Sequence, residues 1–564
     1  MKNHLYIDWL FCVWVFTFWA FIYPHHILYT EQLSLFLYSA DFWKPCALQP
    51  GGWAAYCGDF LAQFYNYRWT GASIQTLLAV AMLVTSKQIL KKMGGRDGIL
   101  PAAIFPALFL IALQCDHRFT PGHALAFISP YALTLLYMTI SNVLLRRVVF
   151  TGAMIPIYLF AGAELTFSLF LSCMLYELLY AKGRWKYATP VWLFALIFLP
   201  YGWQSVYLMP DDALFNLLNF SLAEDVRYLP LLLLIFIPVC IVVFKVVVKQ
   251  KWVGSFSFSV VLMLSILGSG YYLLKKSINP LEEQKFAMNR AIAKNQWDRV
   301  LKISKRVKIP DQHTIDFTNL ALAMKNELPQ KMFRYAQTDE ILTHQEGYFD
   351  FRYGSEFYYR IGLLNEAIRW IFEASASGEK EMDYHILIRL AIWNRENGYE
   401  EVAGKYFDIL ESTLMYRSWA KRRRQMPLPQ SEKSATTQEE YYIGLREPIA
   451  DLALYYRNNP QNRMALDYLL CYLLLHNNLP RFQPLFDMYY LPASKKIPQA
   501  YQEALLFLAF MGKAEIRNYP IDPTNEMRFR AFNELVKSRN EAELKRQFGD
   551  TWWYYSRKKM MNKD

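Results

Sequence analysis

Residues 25–71 of the chain read HHILYTEQLSLFLYSADFWKPCALQPGGWAAYCGDFLAQFYNYRWTG, a polar and aromatic-rich stretch between two strongly apolar segments. This stretch is too polar to cross a bilayer. Its apolar spacing predicts two short amphipathic helices, about Glu31–Phe42 and Gly52–Asn66, joined by a turn at Gln49-Pro50-Gly51-Gly52. Residues 24–71 are therefore predicted to form the first loop of a membrane domain, lying at one membrane face.

Long apolar runs dominate residues 1–276 on both sides of this loop. A spanning helix needs roughly 20 apolar residues, and the first run lacks the small-residue cleavage site of a signal peptide. The fifth and sixth runs are short and have basic residues at both outer ends, which predicts a hairpin turning near Gly162-Ala163-Glu164. We predict nine spans, at about residues 8–28, 72–90, 99–115, 123–143, 148–162, 165–181, 188–207, 228–248 and 253–274.

The positions of basic residues predict the orientation of these spans. One set of connections is rich in Lys and Arg, whereas the alternate set holds few, and the rich set is expected in the cytoplasm. The N-terminus is then inside, and the first loop and the C-terminal half are outside, as in a multi-pass protein of a bacterial inner membrane with a periplasmic domain. The rich set is Lys2; Lys87, Lys91, Lys92 and Arg96; Arg146 and Arg147; Lys182, Arg184 and Lys186; Lys245, Lys249 and Lys251.

The net charge of +12 does not indicate a nucleic-acid partner. In the first half it reflects these topology signals, and in the second half charges of both signs alternate, as on solvated helix faces. The seven cysteines have no metal-ligand spacing. Cys46 and Cys57 share the first loop, where a disulfide and two free thiols both remain open. The sequence shows no phosphate-loop, dinucleotide-binding or nucleophile-elbow motif, so no cofactor or metal is predicted.

Residues 281–564 are predicted to form a helical-repeat domain. Related phrases begin at Asn295, Asn326, Gly362 and Gly398, about 31 to 36 residues apart, near the 34-residue tetratricopeptide period. The segment 362–372 resembles the second helix of a tetratricopeptide repeat. The fold class is thus all-α, a polytopic membrane domain followed by a tetratricopeptide-like solenoid. Residues Leu364, Ala367, Ile368, Ile371 and Phe372 share one apolar face.

Five residues are candidates for chemistry. Asp41 and Asp59 in the first loop are candidate catalytic carboxylates, each able to act as a general base or hold an acceptor hydroxyl. His117 and Arg118, in the second external loop, are candidates for binding an anionic substrate group. Glu164, in the predicted hairpin turn, is a third binding candidate because ionisable groups at membrane depth usually mark functional or paired sites. Each has an ordinary alternative as a solvated, capping or turn residue.

In layout, residues 1–275 resemble the multi-spanning glycosyltransferases of the GT-C class, with an inside N-terminus, a long first external loop with two interfacial helices and an acidic residue in that loop. The paired acidic residues common early in that loop are not matched, since Asp41 and Asp59 stand apart. The whole chain also resembles bacterial envelope proteins that join such a core to a helical-repeat tail and imply no activity.

Two functions follow as expectations. The GT-C resemblance implies a glycosyltransferase with a polyprenyl-phosphate sugar as lipid donor, Asp41 or Asp59 assisting the acceptor, His117 and Arg118 holding the phosphate, and repeats binding the acceptor protein or glycan. The alternative is a non-catalytic membrane-anchored scaffold that recruits periplasmic proteins through its repeats. A transporter is disfavoured because paired half-repeats are absent from the sequence.

Overall fold

The computed structural model describes residues 2–95, 97–181, 188–207, 226–247, 255–338, 348–377, 383–427, 448–494, 496–513, 515 and 519–561. Within these ranges the chain consists of helices joined by turns and short extended segments, without a strand. The prediction of an all-α protein is therefore confirmed. The basic residues Arg96, Lys182, Arg184, Lys186, Lys249 and Lys251 lie outside the described residues.

The chain divides into two compact units. The first comprises Met1–Glu283, Met382–His385 and Phe407–Gln425, and the second comprises Gln284–Glu381, Ile386–Tyr406 and Met426–Asp564. The main division falls close to the predicted domain boundary. Two short segments of the C-terminal half nevertheless belong to the first unit, because aromatic residues in them contact the first loop.

The first unit contains apolar helices of different lengths. Among the residues that the structure describes, four helices are long and apolar enough to cross a membrane: Arg68–Lys92, Asp97–Gln114, Ala163–Tyr180 and Ser257–Ser277. Two bent pairs raise this number to six if each is one span: Tyr6–Ile22 with Pro24–Leu33, bent by 75°, and Val143–Gly152 with Met154–Ala161, bent by 55°. A helix lies at each of the nine predicted positions, but four to six candidate spans are shown, and nine crossings stay a prediction.

The helices of the first unit have the following bounds: Lys2–Thr17, Phe18–Ile22 (π), Pro24–Leu33, Ala40–Leu48, Gly52–Ala62, Gln63–Asn66 (3-10), Arg68–Lys92, Asp97–Ala103 (3-10), Ile104–Gln114, Pro121–Thr139, Val143–Gly152, Met154–Ala161, Ala163–Tyr180, Val191–Tyr207, Leu229–Val247, Phe256–Ser277 and Arg417–Gln425.

The predicted first-loop helix over Glu31–Phe42 is wrong. One helix covers Pro24–Leu33, residues 34–38 have no helical structure, and a second helix covers Ala40–Leu48. Pro24 occupies the first helical position, where its missing N–H group costs no hydrogen bond. Ser39 caps the next helix by accepting a hydrogen bond from the backbone N–H of Phe42 at 3.2 Å.

The second predicted helix of this loop is confirmed, as Gly52–Ala62 continued by a 3-10 turn, Gln63–Asn66. It crosses Pro121–Thr139 at a point where both backbones carry glycine. A Cβ atom added to Gly58 would lie 2.1 Å from the backbone nitrogen of Gly122. Only glycine allows this approach, which fixes the first loop on the apolar helices.

The hairpin predicted near Gly162 is also present. Gly162 has a φ of 84° and separates Met154–Ala161 from Ala163–Tyr180. The turn of the first loop reaches the same place, where the Gly51 backbone N–H donates to the Tyr158 carbonyl at 3.3 Å. The first loop therefore packs on the end of the hairpin that carries Glu164.

The second unit consists of short helices. Two of them, Tyr384–Glu396 and Glu400–Glu411, include residues that belong to the first unit, and Pro280–Ala293 begins in it. The bounds are Pro280–Ala293, Trp297–Ser304, Gln312–Met324, Leu328–Lys331, Met332–Arg334 (3-10), Tyr348–Ile361, Leu364–Ser377, Tyr384–Glu396, Glu400–Glu411, Pro448–Asn458, Arg463–Leu475, Leu479–Leu485, Phe486–Tyr490 (π), Gln499–Phe510, Pro523–Lys537, Glu541–Phe548 and Trp552–Met561.

The recurring phrases of the second half share one backbone motif. Asn295, Asn326, Gly362 and Gly398 have φ values of 57°, 56°, 96° and 84° and each follows a helix. In all four cases the next residue donates its N–H to the carbonyl five positions back at 2.8 Å, the bond of a Schellman motif. The sequence repeat is thus a repeated helix-ending turn, and its assembly into a solenoid stays a prediction.

The apolar face predicted around Ala367 is correct in part. Leu364, Ala367 and Ile371 are buried, Ile368 is half-buried, and Phe372 is exposed. Trp370 is buried instead, because Gly354 lets the facing helix approach its ring.

Candidate functional site

Asp41 lies in solvent at the start of a helix. Its side chain is 89% exposed and forms an ion pair of 2.8 Å with Lys44, one turn along Ala40–Leu48. A carboxylate in the first turn of a helix interacts favourably with the helix dipole. This position and partner correspond to the ordinary alternative for Asp41, a solvated helix-end residue.

Asp59 lies half-buried on Gly52–Ala62, close to a group we call the tyrosine pocket, formed by Glu31, Tyr384 and Tyr416. Tyr416 donates from its hydroxyl to the buried carboxylate of Glu31 at 2.8 Å. Its ring packs on that of Tyr384, with centroids 4.7 Å apart. Burial raises the pKa of Tyr384, and the negative charges of Glu31 and Asp59 raise it further. Asp59 is therefore part of a polar, partly desolvated region.

The Tyr384 hydroxyl also accepts a hydrogen bond from the backbone N–H of Phe36 at 3.3 Å. Phe36 is in the extended segment that the sequence predicted to be helical. Because this segment is not helical, its N–H groups are available to side chains. The local break in the first loop thus positions the tyrosine pocket.

Arg118 and Asp116 form a two-point ion pair in the second loop. Arg118 Nε lies 2.9 Å from Asp116 Oδ1, and Arg118 Nη2 lies 2.7 Å from Asp116 Oδ2. Burial raises the pKa of Asp116, but the hydrogen bonds and charge of Arg118 outweigh it and hold that pKa below its ordinary value. Two of the five N–H donors of Arg118 are thus bound to a carboxylate. They are the two donors that would otherwise form a bidentate contact with a phosphate.

His117 belongs to a ring cluster beside this ion pair. Its ring centroid lies 6.0 Å from that of His26 and 5.7 Å from that of Tyr29, both on Pro24–Leu33. His117 Nδ1 lies 3.9 Å from Asp116 Oδ1. The predicted pair His117 and Arg118 is therefore brought together with His26 at the start of the first-loop helix, a contact that the sequence did not indicate.

Glu283 binds the start of that same helix. Its two carboxylate oxygens accept the backbone N–H groups of His25 at 2.7 Å and His26 at 2.9 Å. These are N–H groups of the first helical turn, which lack partners inside the helix. Burial raises the pKa of Glu283 to about 7, against the lowering effect of the two hydrogen bonds. We call His26, Asp116, His117, Arg118 and Glu283 the histidine cluster.

Glu164 begins Ala163–Tyr180, directly after the hairpin turn. It is half-buried, and its Oε2 atom is buried without a hydrogen-bond partner among the described residues. A buried carboxylate oxygen without a partner is costly. The structure thus places Glu164 at the hairpin end that the first loop covers.

A further ionic cluster was missed by the sequence reasoning. Glu177 is fully buried and accepts hydrogen bonds from Arg146 Nε at 2.6 Å, Arg147 Nη2 at 2.5 Å and the Tyr137 hydroxyl at 2.8 Å. The signal was present: the two arginines begin one arm of the predicted hairpin, and the glutamate lies near the end of the other. We call these four residues the arginine cluster.

No described group of three His, Cys, Asp or Glu side chains is placed to share a metal ion. Both first-loop cysteines, Cys46 and Cys57, are free thiols.

These features define an all-α protein with four to six candidate membrane helices and a unit of short helices that end in repeated turns. A family model described as "Family of unknown function (DUF6057)" matches residues 2–559. The chain belongs to this family, which agrees with the expected resemblance to a family without an assigned activity. Comparison with curated proteins and with solved structures gives no match.

Proposed function

We propose that the protein is a membrane-embedded scaffold whose first unit spans the bilayer and whose second unit binds a partner. The membrane placement is supported by the way apolar and charged side chains are distributed on the helix Val143–Gly152. Leu144, Leu145, Val148 and Val149 are exposed on its outer face, whereas the arginine cluster lies inside. A helix in water would place its arginines outside and its apolar side chains inside. The reversed arrangement fits a lipid surround.

The proposed topology has nine crossings in a bacterial inner membrane, a cytoplasmic N-terminus and an external second unit. Contact between Arg146 and Glu177 supports the two-arm hairpin, because it brings the outer ends of both arms to one side. Reporter fusions after Lys92, Arg147 and Lys186 should report the cytoplasm, and a fusion after Lys276 should report the external space. A cytoplasmic signal from the last fusion would contradict nine crossings.

The scaffold function is favoured over catalysis by the state of one predicted catalytic residue, Asp41, and one predicted substrate-binding residue, Arg118. Asp41 is solvated and paired with Lys44, and Arg118 is paired with Asp116. In the second unit, by contrast, a cavity of about 340 Å³ is lined mainly by charged side chains, which a partner of complementary charge could contact. Five of its nine lining residues are basic and two are acidic: Lys302, Lys305, Lys325, Lys331 and Arg334, with Asp298 and Glu327.

A glycosyltransferase of the GT-C kind is the second candidate, supported by Asp59 beside the tyrosine pocket. A half-buried carboxylate next to hydroxyl groups at a membrane face has the chemistry of a general base. In this proposal a polyprenyl-phosphate sugar is the donor, and its phosphate replaces Asp116 as the partner of Arg118. Glu164 would face the lipid donor from the hairpin end.

A rescue experiment in a deletion strain separates the two functions. If the protein is a scaffold, the variant with Asp41→Asn and Asp59→Asn should restore the wild-type envelope. If it is a glycosyltransferase, the same variant lacks the general base and its turnover should fall by about 10²–10⁴-fold. Lys302→Glu with Lys305→Glu should abolish rescue by a scaffold. Lys513→Glu with Lys537→Glu, which makes the same change in charge at two exposed sites of the same unit, is the matched control. The scaffold proposal fails if the aspartate variant loses function and the lysine variant keeps it.

Alkaline carbonate extraction tests the membrane placement by itself. The protein should stay in the pellet with integral proteins, because its apolar helices are held by lipid rather than by ionic contacts. Release into the supernatant would contradict the first part of the proposal.

A further inference from the structure

The helix Arg417–Gln425 carries an unusual concentration of positive charge in the first unit. Its sequence is RSWAKRRRQ, in which five of nine residues are Arg or Lys. The helix has one inward face: Ala420 is buried, Arg424 Nη1 lies 2.7 Å from Asp408 Oδ1, and Arg417 Nε donates to the Glu411 carbonyl at 2.9 Å.

The opposite face of this helix presents cations to the outside. Ser418, Lys421, Arg422 and Gln425 are exposed, at the i, i+3, i+4 and i+7 positions that share one helix face. Within the described part of the chain, Lys421 and Arg422 have no ion-pair partner. Two adjacent exposed cations on a fixed helix are an electrostatic site for an anionic surface.

Contacts with the first loop fix where this face lies. Tyr416, just before the helix, donates to Glu31 on Pro24–Leu33, and that helix follows the first apolar helix after a bend of 75°. If Tyr6–Ile22 crosses the bilayer along its normal, a helix inclined to it by 75° is directed close to the membrane plane. The basic helix is therefore held beside the segment where the first unit leaves the bilayer.

Apolar side chains accompany the cations. Leu414 is 47% exposed in the turn before the helix, and Trp419 is half-buried on it. Tryptophan is enriched at membrane–water interfaces, where its ring sits at the level of the lipid headgroups. Clusters of basic residues with such apolar neighbours bind anionic lipids by charge and by shallow insertion.

We propose that Arg417–Gln425 is a contact site for the headgroups of anionic phospholipids, with Lys421 and Arg422 as the residues that recognise the phosphate. This inference rests on the proposed membrane placement of the first unit. It concerns the lipid surface rather than a donor lipid or a protein partner, so it holds for both candidate functions.

The test uses the full chain, purified in a neutral detergent and titrated with phosphatidylglycerol or phosphatidylcholine in mixed micelles. Bound lipid is counted by native mass spectrometry, and thermal unfolding is followed in parallel. The wild-type protein should bind phosphatidylglycerol in preference, and the preference should weaken as salt is raised. Lys421→Gln with Arg422→Gln should lower the affinity about tenfold or more. Lys513→Gln with Lys537→Gln removes two exposed cations from the second unit and should leave the affinity for phosphatidylglycerol unchanged.

Three results of the lipid titration would overturn the proposal, and a competition experiment can give a fourth. The three are equal affinity for the two lipids, an unchanged preference in the Lys421 and Arg422 variant, and an equal loss in the control. Glycerol 3-phosphate, which has the headgroup phosphate without acyl chains, should not compete at equal concentration. If it does, the site binds a free phosphate and not a lipid surface. Carbonate extraction is scored separately, so a protein that is integral but shows no lipid preference refutes only this inference.

Discussion

Removal of the Glu177 carboxylate should unfold the first unit more readily than any change at its surface. In the arginine cluster one fully buried carboxylate neutralises one of two arginine charges and accepts hydrogen bonds from Arg146, Arg147 and Tyr137. Glu177→Gln keeps the size of the side chain but leaves both guanidinium groups without a counter-charge. Loss of one partner of a buried ion pair costs about 3–5 kcal/mol. We expect a loss of that size in the free energy of unfolding.

The assay is unfolding of the purified protein in mixed micelles with increasing denaturing detergent, followed by tryptophan fluorescence. Asp41→Asn is the control, because it removes an exposed ion pair of the same unit, and exposed pairs contribute little. Replacing Arg146, Arg147 and Glu177 together by leucine should restore most of the stability, since whole buried clusters are often replaced by apolar residues without loss. The reasoning is refuted if Glu177→Gln unfolds at the same detergent fraction as Asp41→Asn.

Three further outcomes are expected. Gly58→Ala should lower the free energy of unfolding in micelles by about 1–3 kcal/mol, because the added Cβ meets the Gly122 backbone. Gly152→Ala, with open space around it, should be neutral, and equal effects of the two changes would contradict the close crossing. Burial raises the pKa of Glu283 from 4.5 to about 7, so the folded state binds this proton more tightly, and stability should fall as pH rises from about 4.5 through 7. In melting temperatures measured over a pH series, Glu283→Gln should make that decline shallower. An unchanged decline would show that other groups cause it. Ala367→Leu should overpack the buried helix contact at this position and lower the free energy of unfolding by about 1–3 kcal/mol. An unchanged melting temperature would refute that packing.

Features set by local backbone chemistry were predictable from the sequence. Gly162 marks the hairpin turn, and Asn295, Asn326, Gly362 and Gly398 mark helix-ending turns, because these residue types accept the left-handed conformation that such turns need. The period of the phrases therefore indicated the helices between them. The number of true crossings was harder to predict, because several of the apolar helices are bent or shorter than a bilayer is thick.

The first loop shows why helix limits failed there. Apolar spacing continued through residues 34–38, so the pattern suggested one helix up to Phe42. The helix ends at Leu33. The backbone N–H of Phe36 donates instead to the hydroxyl of Tyr384, 348 residues along the chain. A partner so distant leaves no trace in the local sequence, and tertiary contacts override a weak local preference.

In the candidate site, too, local features could be predicted from the sequence and long-range contacts could not. His117 and Arg118 were recognisable as a polar loop, but their partners were not. The carboxylate that caps the helix start beside them comes from Glu283, 257 residues from His26, and the counter-ion of Arg118 is the neighbouring Asp116. Residue type indicated which side chains are polar, but only the fold decides which charges neutralise each other.

The tyrosine pocket also limits how the protein can be divided in experiments. Glu31 lies in the first loop, but its hydroxyl partner Tyr416 comes from a segment 385 residues later. A chain cut near residue 281 therefore removes that partner from a buried carboxylate, and a buried carboxylate without its hydrogen bond is destabilising. Loss of function after such a cut would follow from damage to the first unit as readily as from loss of the second. Point changes at exposed residues such as Lys302 and Lys305 test the second unit without this confusion, because they leave every contact of the first unit in place.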